Sequence, residues 1–151
     1  MMRELLDNEI LWTALSAWLL AQFLKPFLEY LDSRRWIWGE WFSSGGMPSS
    51  HSALVVSAML AIGLFDGFNT PLFALAVAIT MVVVYDAAGV RREAGRHAER
   101  INILIKELFR GQPISEQQLK EVIGHSPTEV IVGVLLGSAT ALVSFLLFGA
   151  R

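Results

Sequence analysis

Two of the three histidines in this chain sit in comparable settings. His51 closes Gly45-Gly46-Met47-Pro48-Ser49-Ser50-His51, a glycine-rich turn running into a helix start. His125 opens Gly124-His125-Ser126-Pro127-Thr128-Glu129, a second helix start. The first N–H groups of a helix lack intrahelical acceptors and carry a partial positive charge, so a helix start suits an anion. Two such starts, each with a histidine, would surround a phosphate with donors and proton carriers. Glu129 lies one turn from His125, where its carboxylate could orient the imidazole. His125 and Glu129 also read as a metal pair, but two ligands are too few and no third is evident.

A third cluster is Tyr85-Asp86-Ala87-Ala88-Gly89-Val90-Arg91-Arg92. Asp86 falls near the end of an apolar stretch, where an ionisable group is costly and needs a partner. Arg91 and Arg92 are candidates for that partner, and so is Lys25, which interrupts an earlier apolar stretch. Each of these residues also has a plainer use. The serines can simply cap helices, and so can Glu129. Arg91 and Arg92 can anchor a helix at the membrane surface, and Lys25 can snorkel to the headgroups.

The elements that must position these residues are membrane helices. Of 151 residues, 54% are hydrophobic and 17% charged, with a mean hydropathy of +0.49. Soluble domains run at roughly 45–50% apolar and about 25% charged. That excludes a disordered chain, a nucleic-acid-binding domain and an ordinary soluble enzyme, and the net charge of −2 implies no polyanionic partner. With no cysteine, disulfides, thiolate metal sites and cysteine nucleophiles are excluded as well. The net-negative start, with Arg3 against Glu4, Asp7 and Glu9, reads as part of a retained helix rather than a cleaved signal.

Four apolar stretches are long enough to cross about 30 Å of hydrocarbon, which takes roughly 17–25 helical residues. They run over about 10–31, 48–65, 71–88 and 129–148 within a single membrane domain, 1–151, with a polar loop over 89–128. The second and third are short, which suits partial burial in protein. Asp66 to Thr70 leaves room only for a hairpin turn between them. Thr70-Pro71 reads as an N-cap with proline at the first helical position, and Ser126-Pro127 repeats it with a capping-box Glu129. In the polar loop, Val90, Ala94, Ile101, Leu104, Ile105 and Leu108 recur at helical spacing, and Gly111 and Pro113 end the pattern. A short helix over 115–123 follows. Four spans put the loops over 32–47 and 89–128 on one side, with nine Arg and Lys. Two more, Arg3 and Arg151, lie on the other side. The positive-inside rule then makes both loops cytoplasmic. Ala53, Ser57, Gly63 and the pair Gly133 and Gly137 are the small residues expected at helix contacts. The spacing of that pair also suits a homo-oligomer.

Taken together, the motifs at 45–51, 85–92 and 124–130 resemble the divergent branch of the type 2 phosphatidic acid phosphatase family, relatives of acid phosphatases and vanadium-dependent haloperoxidases. The resemblance implies an all-α membrane bundle. It also implies a phosphatase acting on a lipid phosphate or pyrophosphate through a phosphohistidine, with no cofactor. Carried over by position, His125 is the nucleophile, Glu129 stands where the family has an orienting Asp, and His51 protonates the leaving group. Ser50 replaces a glycine in the first motif, and Val130 and Gly133 match the continuation of the last. Leu119, beside Lys120, falls where the family has an arginine. Lys25 with Arg34 or Arg35 is a loose counterpart of its opening basic residues. Lys25, Ser49, Ser50, Arg91 and Arg92 are the expected phosphate ligands, with Asp86 in support. Two other functions use the same residues: a non-catalytic lipid-phosphate binder or carrier, and a structural membrane subunit whose motifs only cap helices.

Overall fold

A computed structural model describes residues 2–34, 46–90, 97, 100–104 and 126–149. Every regular element among them is helical: α1 (Met2–Leu6), α2 (Glu9–Ser33), α3 (Ser50–Phe65), α4 (Pro71–Tyr85) and α5 (Pro127–Phe148). Over Asp86–Val90, α4 continues as a wider π-helical turn. The protein is an all-α membrane bundle. Glu9–Leu31, Pro71–Gly89 and Pro127–Phe148 are each long and apolar enough to cross a bilayer.

The second expected span, 48–65, is a shorter apolar helix rather than one of membrane-crossing length. The 16 residues of α3 reach roughly 24 Å at 1.5 Å per residue, less than the hydrocarbon thickness. Its surroundings differ from those of the other helices. Seven residues of α3 are buried, against Thr80 alone in α4. The helix packs on α2, α4 and α5 together, so protein rather than lipid covers much of it.

Local chemistry fixes the helix ends. Asn8 caps α2 by accepting from the Leu11 N–H at 2.8 Å, and the chain leaves α2 through Arg34 in a left-handed conformation (φ 54°). Thr70 accepts from the Phe73 N–H at 3.2 Å, and Ser126 from the Glu129 N–H at 3.3 Å, as the sequence implies. Between α3 and α4, Gly67 adopts φ 107°, which side chains rarely tolerate, and Thr70 donates to its carbonyl at 3.0 Å. Phe68 folds back so that its ring covers Gly63, where any Cβ would lie 2.4 Å from it.

Cross-helix contacts set the directions. Lys25 in the second half of α2 meets Ser50 at the start of α3, and Thr80 of α4 donates to the Val55 carbonyl at 3.1 Å, so α3 opposes both helices. Thr13 near the start of α2 pairs with Ser144 near the end of α5. Gly133 and Gly137 of α5 face Ser49 and Ala53, and the Phe65 and Phe145 rings meet edge to face at 5.4 Å, so α3 and α5 run parallel. Both long loops therefore leave from one end of the bundle, and the 66–70 turn lies at the other.

Small side chains form the interior. Ala17, Ala21 and Ala53 are fully buried against Leu136, while Leu20, Phe23, Leu75, Ile79, Leu135 and Leu146 are exposed. Large apolar groups outside and small ones inside is the arrangement lipid favours, because close backbone approach drives helix association there. Gly133 and Gly137 are both buried within the chain against α3. The expected short helix over 115–123 lies outside the described residues. Residues 100–104 of the amphipathic segment are helical, with Ile101 and Leu104 exposed and Asn102 buried.

Candidate functional site

The end of the bundle where α3 and α5 begin gathers residues from three helices. At its floor is Lys25, 1% exposed, whose Nζ lies 3.4 Å from Ser50 Oγ. The residue that follows it, Pro26, has no N–H to offer the Gln22 carbonyl, so the ladder of α2 is interrupted beside the buried ammonium. A charge at this depth in an apolar helix is costly, and hydroxyl and helix-terminal partners reduce that cost.

The start of α3 is built by its serines. Gly46 at φ 80° and a cis peptide bond between Met47 and Pro48 bring the chain to Ser49. Ser49 Oγ accepts from the Ser52 N–H at 3.3 Å and from the Ser52 hydroxyl at 3.0 Å. Ser50 opens the helix and His51, half-buried, follows it. The Ser49 N–H donates to the Glu129 carbonyl at 3.0 Å, so the first turns of α3 and α5 are joined backbone to backbone. That bond commits the Ser49 N–H, and its hydroxyl serves the cap; Ser49 is fully buried. Among the expected donors to an anion, Ser50 is thus the one at the helix opening.

Glu129 is half-buried in the first turn of α5, below the Ser126 cap, whose hydroxyl lies 2.9 Å from that of Thr128. Asp86 opens the π-helical turn, and that turn packs against α5. A π-helical turn is uncommon and recurs at functional sites. The structure therefore brings Lys25, Ser49, Ser50 and the Glu129 backbone into one cluster, with His51 next in line on α3. His125, Arg91 and Arg92 lie outside the described residues. Among the described residues, no three His, Asp or Glu side chains converge as a metal site would require.

Two features escaped the sequence. Ser52 completes the cap of α3, and the Ser-x-x-Ser spacing from Ser49 is the signal that would have found it. The far end of the bundle holds a groove of about 580 Å³ between α2 and α5, lined by Leu6, Trp12, Thr13, Ser144 and Leu147 among others. It lies well away from Lys25. At its wall Thr13 donates to the Glu9 carbonyl at 2.7 Å, which leaves the Ser144 hydroxyl as donor in their mutual bond. Polar residues spaced along apolar helices were visible in the sequence, but not which helices would pair.

Residues 6–140 match the model of the family described as the divergent PAP2 family. The chain is also similar to the uncharacterized membrane protein YuiD of Bacillus subtilis (strain 168). The two are 36% identical over 93% of this chain and 96% of that protein. No solved structure matches.

Proposed function

The chain belongs to the divergent PAP2 family, and from that premise we propose that it is a membrane phosphatase acting on a lipid phosphate or pyrophosphate. One observation supports this most directly. A buried ammonium, Lys25, sits beside the opening of α3, and that opening is tied through Ser49 to the first turn of α5. A cation and a helix start in an apolar setting form a preorganised place for phosphate oxygens.

In this reading His125 attacks phosphorus in line, and the bond to the leaving oxygen breaks as His51 gives that oxygen a proton. Glu129 holds the His125 ring so that the attacking nitrogen carries its lone pair. Water then attacks the phosphohistidine, His51 takes a proton from the water, and the nitrogen–phosphorus bond breaks to release phosphate. Lys25, Ser50, Arg91 and Arg92 stabilise the charge on the transferring group. The test is phosphate release by detergent-solubilised protein from a panel of prenyl and glycerolipid phosphates. Wild type turns over at least one of them, and His125→Ala falls to background while keeping its helical content. Equal release by the variant removes His125 as nucleophile.

A second reading keeps the site and drops the chemistry. The Lys25 and Ser50 pair would hold a phosphate without any nucleophile, which supports a lipid-phosphate binder or carrier. Saturable binding across the same panel, with no phosphate released, would favour it.

A further inference from the structure

Resting on the phosphatase reading, the geometry points to Gly133 as a positioning residue whose missing side chain lets the first turn of α5 be held against the start of α3. A Cβ at Gly133 would lie 2.4 Å from the Ser49 carbonyl oxygen and 3.1 Å from the Cβ atoms of both Ser49 and Ser52. Cβ atoms essentially never come closer than 3.0 Å to such neighbours, and the atom struck first belongs to the backbone, so it has no rotamer in which to escape.

The backbone of Ser49 has fixed duties on both sides. The Ser49 carbonyl accepts the first helical bond of α3, from the Ala53 N–H at 3.0 Å. The Ser49 N–H donates to the carbonyl of Glu129, one turn before Gly133. A methyl group at 133 presses on the residue that ties the two helix starts together, and relief requires α5 to lift away there. Lys25 and Ser50 belong to α2 and α3, so their contact does not depend on where α5 sits. Gly133 thus sets the distance between the phosphate-holding half of the site and the half that carries Glu129.

Gly137 supplies the control. A Cβ there would lie 2.5 Å from the Ala53 carbonyl, an equally backbone-bound clash, but two turns from Glu129. The experiment compares wild type, Gly133→Ala and Gly137→Ala by amide hydrogen exchange at Ser49, measured by NMR on detergent-solubilised protein, together with kcat and KM for phosphate release.

In Gly133→Ala, Ser49 exchange rises by about 10-fold or more and kcat falls by about 10-fold or more, with KM within about threefold. In Gly137→Ala both Ser49 exchange and kcat stay within about threefold of wild type, although thermal stability drops. Wild-type exchange at Ser49 in Gly133→Ala, or the same losses in both variants, overturns the assignment. Should Gly133→Ala not fold, Gly133→Ala with Ser52→Gly removes one side-chain contact and is read against Ser52→Gly alone, which lacks the same Ser52–Ser49 hydroxyl bond. A wild type that releases no phosphate defeats the phosphatase reading alone, and the exchange comparison still decides whether Gly133 holds the two starts together.

Discussion

The Lys25 ammonium of α2 lies 3.4 Å from the Ser50 hydroxyl of α3, inside a bundle whose buried side chains are mostly alanine and serine among the described residues. A neutral hydroxyl at that distance is a weaker partner for a positive charge than an anion would be. A phosphate oxygen is a much better one, because charge-assisted bonds are roughly twice as strong as neutral ones. Lys25→Met keeps most of the volume and removes the charge. We expect it to fold with unchanged or raised thermal stability and to lose about 100-fold in kcat/KM. A fully active Lys25→Met protein would exclude Lys25 from the phosphate site.

Ser50→Gly restores the residue of the wider family at this position. The hydroxyl goes but the N–H at the helix opening stays. Phosphate release is expected within about threefold of wild type, since the backbone donor carries the contact. A loss as large as that of Lys25→Met would instead assign the hydroxyl itself to the substrate.

The backbone of Glu129 and the role proposed for its carboxylate can be told apart by substitution. Its N–H and carbonyl hold Ser126 and Ser49, and neither bond involves the side chain. Glu129→Gln keeps both backbone bonds, and kcat is expected to drop by about 100-fold or more if the carboxylate orients the His125 ring. Glu129→Asp retains much more activity. Equal activity in wild type and Glu129→Gln would leave Glu129 as a helix-start residue only.

How much of this could be read beforehand follows physical range. The Thr70 and Ser126 caps were legible because a cap is decided by residues three apart, whatever the rest of the chain does. The small residues at helix contacts were legible too, because lipid leaves close packing as the main attraction between helices. The bond from Ser49 to Glu129 was not. It joins backbones 80 residues apart in sequence, and no side-chain pattern encodes it. The shortness of α3 was visible, but its place among three other helices depends on how they pack.

The Thr13 and Ser144 pair offers a measurement of helix association away from the site. A double-mutant cycle with Thr13→Val and Ser144→Ala should give a coupling of about 0.6 kcal/mol in thermal or denaturant unfolding, the usual scale for such bonds in membranes. Phosphate release should be untouched, because the pair lies at the opposite end. Zero coupling would mean that the α2–α5 contact rests on packing alone.

Because the chain has no cysteine, orientation can be tested without background. Single cysteines at Gly45 and Ser115 should react with a membrane-impermeant thiol reagent from the cytoplasmic side only. Labelling from outside would invert the topology that the nine basic loop residues imply.

The parallel course of α3 and α5 has an electrostatic consequence. Antiparallel neighbours bring opposite helix-dipole ends together, but these two bring like ends together, and in an apolar medium little solvent screens the resulting repulsion. An anion between the two starts turns that repulsion into two attractions at once. On the proposed function, ligand occupancy and the cohesion of the bundle would be coupled, and a bound phosphate would also act as a brace between the two helix starts.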